Sequence, residues 1–314
     1  MSVLILTEKE LRDIVKIDKA SIDAVANAFL WLSKGLVTMP PIMHIEIPEH
    51  KGDVDIKSAY VKNLDRFAVK IGAGFFQNHK LGLPSSPAMM VVISAVTGMT
   101  QAILLDNAYL TDVRTAAAGA VAAKYLAPES VTCAGVIGAG AQGRYQMMAL
   151  KQVRDFKQLM VYDKDPVLLI KYVKDMALQL DVEVLAARNV KEVVTQSQVV
   201  VTCTPSKKPF IDPALFILSC ILQPWELTCR TNRKSCQRCL QKPILLPATN
   251  DPKVFQQVSC LIPKPTVSSW MKTRFWNWVT SYPAFIREDS QRNKLPSVIF
   301  PVPVFRILPL LILQ

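Results

Sequence analysis

The chain has 314 residues, half of them hydrophobic and a fifth charged, which excludes a disordered protein and supplies enough apolar material for two domains. Its formal charge of +12 is unevenly placed: residues 213–314 hold 13 Lys and Arg against 4 Asp and Glu, whereas residues 1–212 hold 24 against 21. The basic excess thus lies in a segment without aromatic-glycine motifs or regular basic helical spacing, so neither nucleic acid nor a membrane is an expected partner.

Charges arrive within the first ten residues, so the opening lacks the unbroken apolar run of a secretory signal, and a cytoplasmic protein is expected. Apolar residues at Leu11, Ile14, Val15, Ala24, Val25, Ala28, Phe29 and Leu32 give Thr7 to Lys34 the spacing of one or two amphipathic helices. Short β-rich runs follow at Ile42 to Ile47, Val54 to Val61, Phe67 to Ile71, Met89 to Ser94 and Gln101 to Asp106, with Pro, Gly and Asn between them. These predict an N-terminal α+β domain over residues 1–110 with a mostly antiparallel sheet. From Thr111 through Lys124 the chain is Ala-rich and predicts a helix leading into a second domain, residues 111–212.

That second domain carries the strongest chemical pattern. The buried-strand run Val131 to Ile137 leads directly into Gly138-Ala139-Gly140-Ala141-Gln142-Gly143 and then a helical stretch, Arg144 to Val153. A glycine trio alone is a backbone turn device; between a strand and a helix it is a cradle for a pyrophosphate, which the helix N-terminus attracts. The next strand, Leu159 to Tyr162, ends at Asp163, 25 residues beyond Gly138, where a carboxylate can accept both hydroxyls of a ribose. Helix Pro166 to Leu180, strand Val182 to Leu185, helix Val190 to Gln196 and strand Val199 to Val201 continue the alternation into Thr202-Cys203-Thr204-Pro205-Ser206. The fold class expected is therefore α/β, a Rossmann-type dinucleotide-binding domain behind the α+β domain. Asp163 favours NAD, because a 2′-phosphate would meet its carboxylate; Lys164 beside it leaves NADP open.

Met39-Pro40-Pro41, Val69-Lys70, Gly82-Leu83-Pro84-Ser85, Leu105-Asp106-Asn107, Leu110-Thr111-Asp112-Val113-Arg114-Thr115, the glycine loop and Thr204-Pro205-Ser206 together resemble the ornithine cyclodeaminase/μ-crystallin family over residues 1–212, and within it the branch associated with ectoine utilisation. The resemblance implies a homodimer whose sheet domain supplies substrate groups and whose second domain binds NAD(H) or NADP(H). It implies chemistry on a small amino acid or cyclic imine through hydride transfer and an imine intermediate, or, as in μ-crystallin-like relatives, ligand binding without catalysis. Lys70 then matches a lysine that meets the substrate carboxylate and assists imine chemistry; without the resemblance it reads as a solvated strand charge. Arg114 matches an arginine for the substrate carboxylate or a cofactor phosphate, or is otherwise a surface helix charge. Ser85 stands where the family usually has Thr near the nicotinamide. Gly138, Gly140, Ala141, Gln142, Gly143, Asp163 and Thr204 are the implied cofactor contacts. A second substrate arginine expected after Pro41 is missing, with His44 in its neighbourhood as a weaker, pH-dependent anchor. His44, His50 and His79 otherwise read as ordinary surface or loop residues, and no metal site is expected.

After Asp212 the family pattern stops. The strand ending in Gly-Ala-Asp or Gly-Ser-Asp, whose aspartate the resemblance implies as the acid/base, does not occur in residues 213–314, which hold five of seven Cys, four of five Trp and no Gly; average usage would give roughly seven Gly. Codons compatible with Pro224 to Lys234, read from each third base, spell Met-Gly-Ala-Asp-Leu-Pro-Asp-Lys-Gln-Glu, so a shifted frame or mis-joined exon is the expected origin of an irregular tail. Cys236 and Cys239 alone have zinc-ligand spacing, with no second such pair. Pro296, Pro301, Pro303, Pro309 and Arg306 oppose a spanning helix over Leu295 to Gln314.

Overall fold

The computed structural model describes residues 2–204, 206, 210, 211 and the backbone of 221–224. The chain divides within the Ala-rich helix, into one unit up to Ala118 and another from Gly119.

The first unit opens with β1 (Leu4–Thr7), and Thr7 then caps α1 (Glu8–Ile14) in a reciprocal capping box with Glu10. Asp18 and Ser21 form the same device at the start of α2 (Lys19–Ser33). The strands β2 (Val37–Thr38), β3 (Met43–Ile47), β4 (Gly52–Val61), β5 (Arg66–Phe75), β6 (Ala88–Ser94) and β7 (Thr100–Leu105) follow. They form one seven-stranded sheet in the order β1-β7-β6-β5-β4-β2, with β3 also on β4. All pairs are antiparallel except β1 with β7. Alternation along the strands buries Ala59, Val61, Ala68, Met90, Val92, Ala102 and Leu104, and the helices bury Leu11, Ile22, Val25, Ala28 and Phe29.

The helix α3 (Tyr109–Leu126) crosses the division. The second unit continues as β8 (Cys133–Ile137), α4 (Ala141–Lys151), β9 (Gln158–Tyr162), α5 (Pro166–Leu180), β10 (Glu183–Ala186), α6 (Val190–Gln196), β11 (Val199–Thr202) and β12 (Ile221–Pro224). Its sheet is parallel throughout, in the order β10-β9-β8-β11-β12. Every residue of β8 and β11 is buried, as expected of central strands in a parallel sheet covered on both faces. Asp165 and Asn189 accept backbone N–H groups at the starts of α5 and α6, and Pro166 takes the first position of α5. Tyr172 is fully buried and donates to the Gly143 carbonyl at 3.0 Å, a contact worth about 1 kcal/mol.

The structure departs from the sequence reading in several places. β1, a parallel edge strand, and the short β2 were not among the predicted elements; β5 runs on to Phe75, β8 starts at Cys133, α3 starts at Tyr109, and α4 starts at Ala141. The sheet also continues beyond Asp212, since Ile221–Pro224 pairs in parallel register with Val199–Thr202. The other readings of residues 213–314, including the cysteine pair and the apolar C-terminal run, lie outside the described residues. No helix among the described residues is long and apolar enough to cross a membrane.

Candidate functional site

In the second unit the glycine loop is shaped by what side chains would meet. Gly138 has φ +110°, and a Cβ there would come within 2.5 Å of the Cys203 carbonyl oxygen; at Gly143 it would come within 2.1 Å of the Gly138 oxygen. At Gly140 the same position is open. Gly140 is also the N-cap of α4 and makes no side-chain cap bond, so the N–H groups of the first turn, which Ala141 and Gln142 begin, face a space that a Cβ would have narrowed. Asp163, just past β9, accepts from Ala139 N–H at 2.7 Å and from Asp165 N–H at 2.9 Å. Each carboxylate oxygen retains a lone pair for another donor. Thr204, just past β11, has its methyl 3.3 Å from where a Gly138 Cβ would sit. The Arg144 guanidinium pairs with Asp175 at 2.9 Å and stacks over Tyr172.

In the first unit the sheet register collects charges on one face. His44 lies opposite Asp55, Lys57 opposite Lys70, and Asp55 and Lys57 are two apart on one strand, so all four side chains share a face. His44 Nδ1 is 2.7 Å from Asp55 Oδ1, its Nε2 is 3.5 Å from Glu46, and Lys57 Nζ donates to Asp55 at 2.9 Å. The hydrogen bond to Asp55 raises the His44 pKa, with burial opposing it. Burial raises the Asp55 carboxyl, but bonds to His44 and Lys57 outweigh it and leave the group below its ordinary value.

The Lys70 amine donates to the Thr111 hydroxyl in the first turn of α3. Burial, then the nearby charges of Arg114 and Lys57, bring its pKa down to about 7, while Asp106 and Asp112 act the other way. Asp106 is fully buried; its Oδ2 accepts from Leu110 N–H at 3.0 Å, and its Oδ1 has no hydrogen-bond partner among the described residues. Burial lifts this carboxyl to about 6, with the Leu110 bond and Lys70 opposing. Asn107 and Ala108 follow with φ of 45° and 70°, a left-handed pair that for alanine costs about 1 kcal/mol.

The sequence profile of the ornithine cyclodeaminase/mu-crystallin family matches residues 1–216. The chain belongs to this family. It is 47% identical over 207 residues to a protein of Rhizobium meliloti named as a dehydrogenase, covering 66% of this chain and 63% of that one. It is 33% identical over 214 residues to the alanine dehydrogenase of Archaeoglobus fulgidus, covering 67% and 63%. The chain thus spans less than two thirds of the length of these curated relatives. Among solved structures it resembles the Δ1-pyrroline-2-carboxylate reductase of Thermococcus litoralis, in complex with NADH and L-proline, with a TM-score of 0.66, 29% identity and coverage of 71% of this chain and 69% of that one.

Within this family member, the glycine loop, Asp163 and Thr204 lie together, and Lys70 and Arg114 share one electrostatic neighbourhood. Ser85 lies in the first unit, in the loop before β6, with its carbonyl accepting from Phe75 N–H at 2.8 Å. His44 is a strand residue flanked by the carboxylates of Asp55 and Glu46, and the cation beside Lys70 on that face is Lys57. His79 is exposed and bonds the Phe76 carbonyl. Sequence reasoning passed over Asp55, Lys57, Thr111 and Asp106 as site residues. The period-two spacing of Asp55 and Lys57 was the available signal for the first two.

The His44–Asp55 pair carries a pH signature. A histidine whose folded pKa is raised stabilises the fold fully below its unfolded value near 6.5, and loses that contribution as pH rises through the higher folded value. In Asp55→Asn the imidazole of His44, followed by NMR, is expected to titrate at lower pH than in the parent chain. An unchanged midpoint would contradict the pairing.

Proposed function

We propose that the chain is built for NAD-dependent chemistry on a small amino acid or cyclic imine, with Lys70, Arg114 and Lys57 holding the substrate carboxylate and the loop of Gly138, Gly140 and Gly143 holding the dinucleotide pyrophosphate. The observation that carries this reading is the loop itself: two glycines close-packed, a third open beneath a helix N-terminus, and the Asp163 carboxylate hydrogen-bonded to the same loop. NAD, when bound, supplies the acceptor or donor of a hydride at the substrate Cα. The residues do the rest. Ala141 and Gln142 begin the helix turn whose N–H groups face the phosphates, Thr204 borders the loop, and Asp163 accepts the ribose hydroxyls. Its negative charge opposes a 2′-phosphate, which favours NAD over NADP. With a pKa of about 7, Lys70 can exchange a proton near neutrality while its charged form meets a carboxylate. The NADH-bound, imine-reducing relative from Thermococcus supports the same assignment.

A homodimer is part of this proposal. The sheet face opposite Lys70 carries Val69, Ile71, Met89, Val91 and Ile103, half-buried, with Met43, Ile45, Ile5 and Leu105 exposed at its margins. An apolar face of that kind marks an association surface. Sedimentation of the full chain is expected to show a dimer, and a strict monomer at micromolar concentration would refute it.

Removing the ribose contact and its charge in Asp163→Ala should weaken NADH binding by about 10-fold or more and shift preference toward NADPH, as read by nicotinamide fluorescence. Unchanged affinity and preference would overturn the cofactor assignment.

A second reading, dinucleotide or small-ligand binding without turnover, is favoured by one observation: no Gly-Ala-Asp run occurs in residues 213–314. Acid–base help of that kind is worth about 10²- to 10⁴-fold. With NAD(H) and ornithine, alanine, diaminobutyrate or pyrroline-2-carboxylate, the 314-residue chain is expected to be nearly inactive, and a version with the alternative frame after Asp212 active. Comparable turnover by both would show that the tail supplies a working substitute.

A further inference from the structure

The first turn of α3 receives two titratable groups from different strands. The Lys70 amine comes from β5 to the Thr111 hydroxyl, and the Asp106 carboxylate comes from the end of β7 to the Leu110 N–H. These acceptor and donor positions are adjacent in sequence, so a cation and an anion converge on one helical turn. Asp106 uses only one oxygen there; the other is buried with no hydrogen-bond partner among the described residues. The left-handed pair Asn107 and Ala108 fixes the chain immediately after it, and the Asn107 side-chain amide donates to Glu8 at 3.2 Å. A carboxylate kept out of water, with spare acceptor capacity and a strained turn behind it, is more than a helix cap requires.

We propose that Asp106 is a positioning residue that keeps Lys70 charged, its carboxylate serving as the buried countercharge to the lysine amine. The other charges that act on Lys70 are Lys57 from β4 and Arg114 and Asp112 from α3. Two of these three are cations that drive the proton off Lys70, so the anion at Asp106 opposes them together with Asp112. Once its own carboxyl protonates, near pH 6, that support is withdrawn, and the amine is left among Lys57 and Arg114.

The inference rests on Lys70 as the substrate-side amine of the proposed function, but its test needs neither dinucleotide nor substrate. Competitive acetylation of the full chain across pH, read by mass spectrometry on the Lys70 peptide, gives the midpoint of that amine. Asp106→Asn keeps an oxygen for the Leu110 N–H and removes the charge; the Lys70 midpoint is expected to fall by about one unit or more. A purely structural cap would leave it in place, and coincident midpoints in the two proteins would overturn the proposal. If Asp106→Asn does not fold, the reciprocal variant Lys70→Met decides: the Asp106 carboxyl, followed by ¹³C NMR of labelled aspartate, is expected to titrate at higher pH, and an unmoved value would overturn it. A shifted midpoint in a chain that binds no dinucleotide would refute the proposed function and leave the role of Asp106 standing; dinucleotide binding with an unshifted midpoint would do the reverse.

Discussion

The second unit depends on the absence of a side chain at Gly143. Helix α4 sits so close to the preceding loop that a single added carbon would lie 2.1 Å from the Gly138 carbonyl oxygen, far inside van der Waals contact. That approach brings the start of the helix against the end of β8 and leaves the Gly143 carbonyl to be reached by Tyr172 from α5. Arg144, the next residue, lies over the Tyr172 ring and pairs with Asp175 on the same helix. The glycine contact therefore fixes α4, and α4 orients α5 through a buried hydroxyl and a stacked cation. A loop supported on so many sides can keep its N–H groups aimed into open space at Gly140 without rearranging when an anion arrives.

The first unit solves a different electrostatic problem. Its sheet interior is apolar at Ala68, Met90 and Leu104, yet the same face carries Lys57 and Lys70 directly opposite each other. Two ammonium groups in that setting are tolerable because each has an acidic neighbour: Lys57 pairs with Asp55, and Lys70 lies in the field of Asp106 and Asp112. Around Lys70 two cations, Lys57 and Arg114, stand against two carboxylates, Asp106 and Asp112.

Much of this was legible in the sequence where chemistry is local. Helices α5 and α6 have the predicted limits because their caps, Asp165 with Pro166 and Asn189, lie next to the residues they start. The βα alternation and the glycine loop depend on neighbouring residues and were readable for the same reason. What escaped depends on distant pairings. β1 is four residues long with its register set by β7, nearly a hundred positions away. His44 meets Asp55 only because β3 folds back on β4, and that partner changes the histidine from an open cation to an occupied one. Asp106 reads as the last residue of a β-rich run; its complete burial comes from packing that no local pattern reports.

The strand Ile221–Pro224 has a consequence beyond the sheet it extends. A parallel ladder is made of backbone N–H and C=O groups, and the edge of β11 recognises an extended chain without reading its side chains. A segment whose composition departs so far from the rest of the protein can therefore still be admitted at that edge. Backbone geometry is a lenient test for joining a sheet, and it says nothing of whether the residues that follow carry a carboxylate to the place where chemistry needs one.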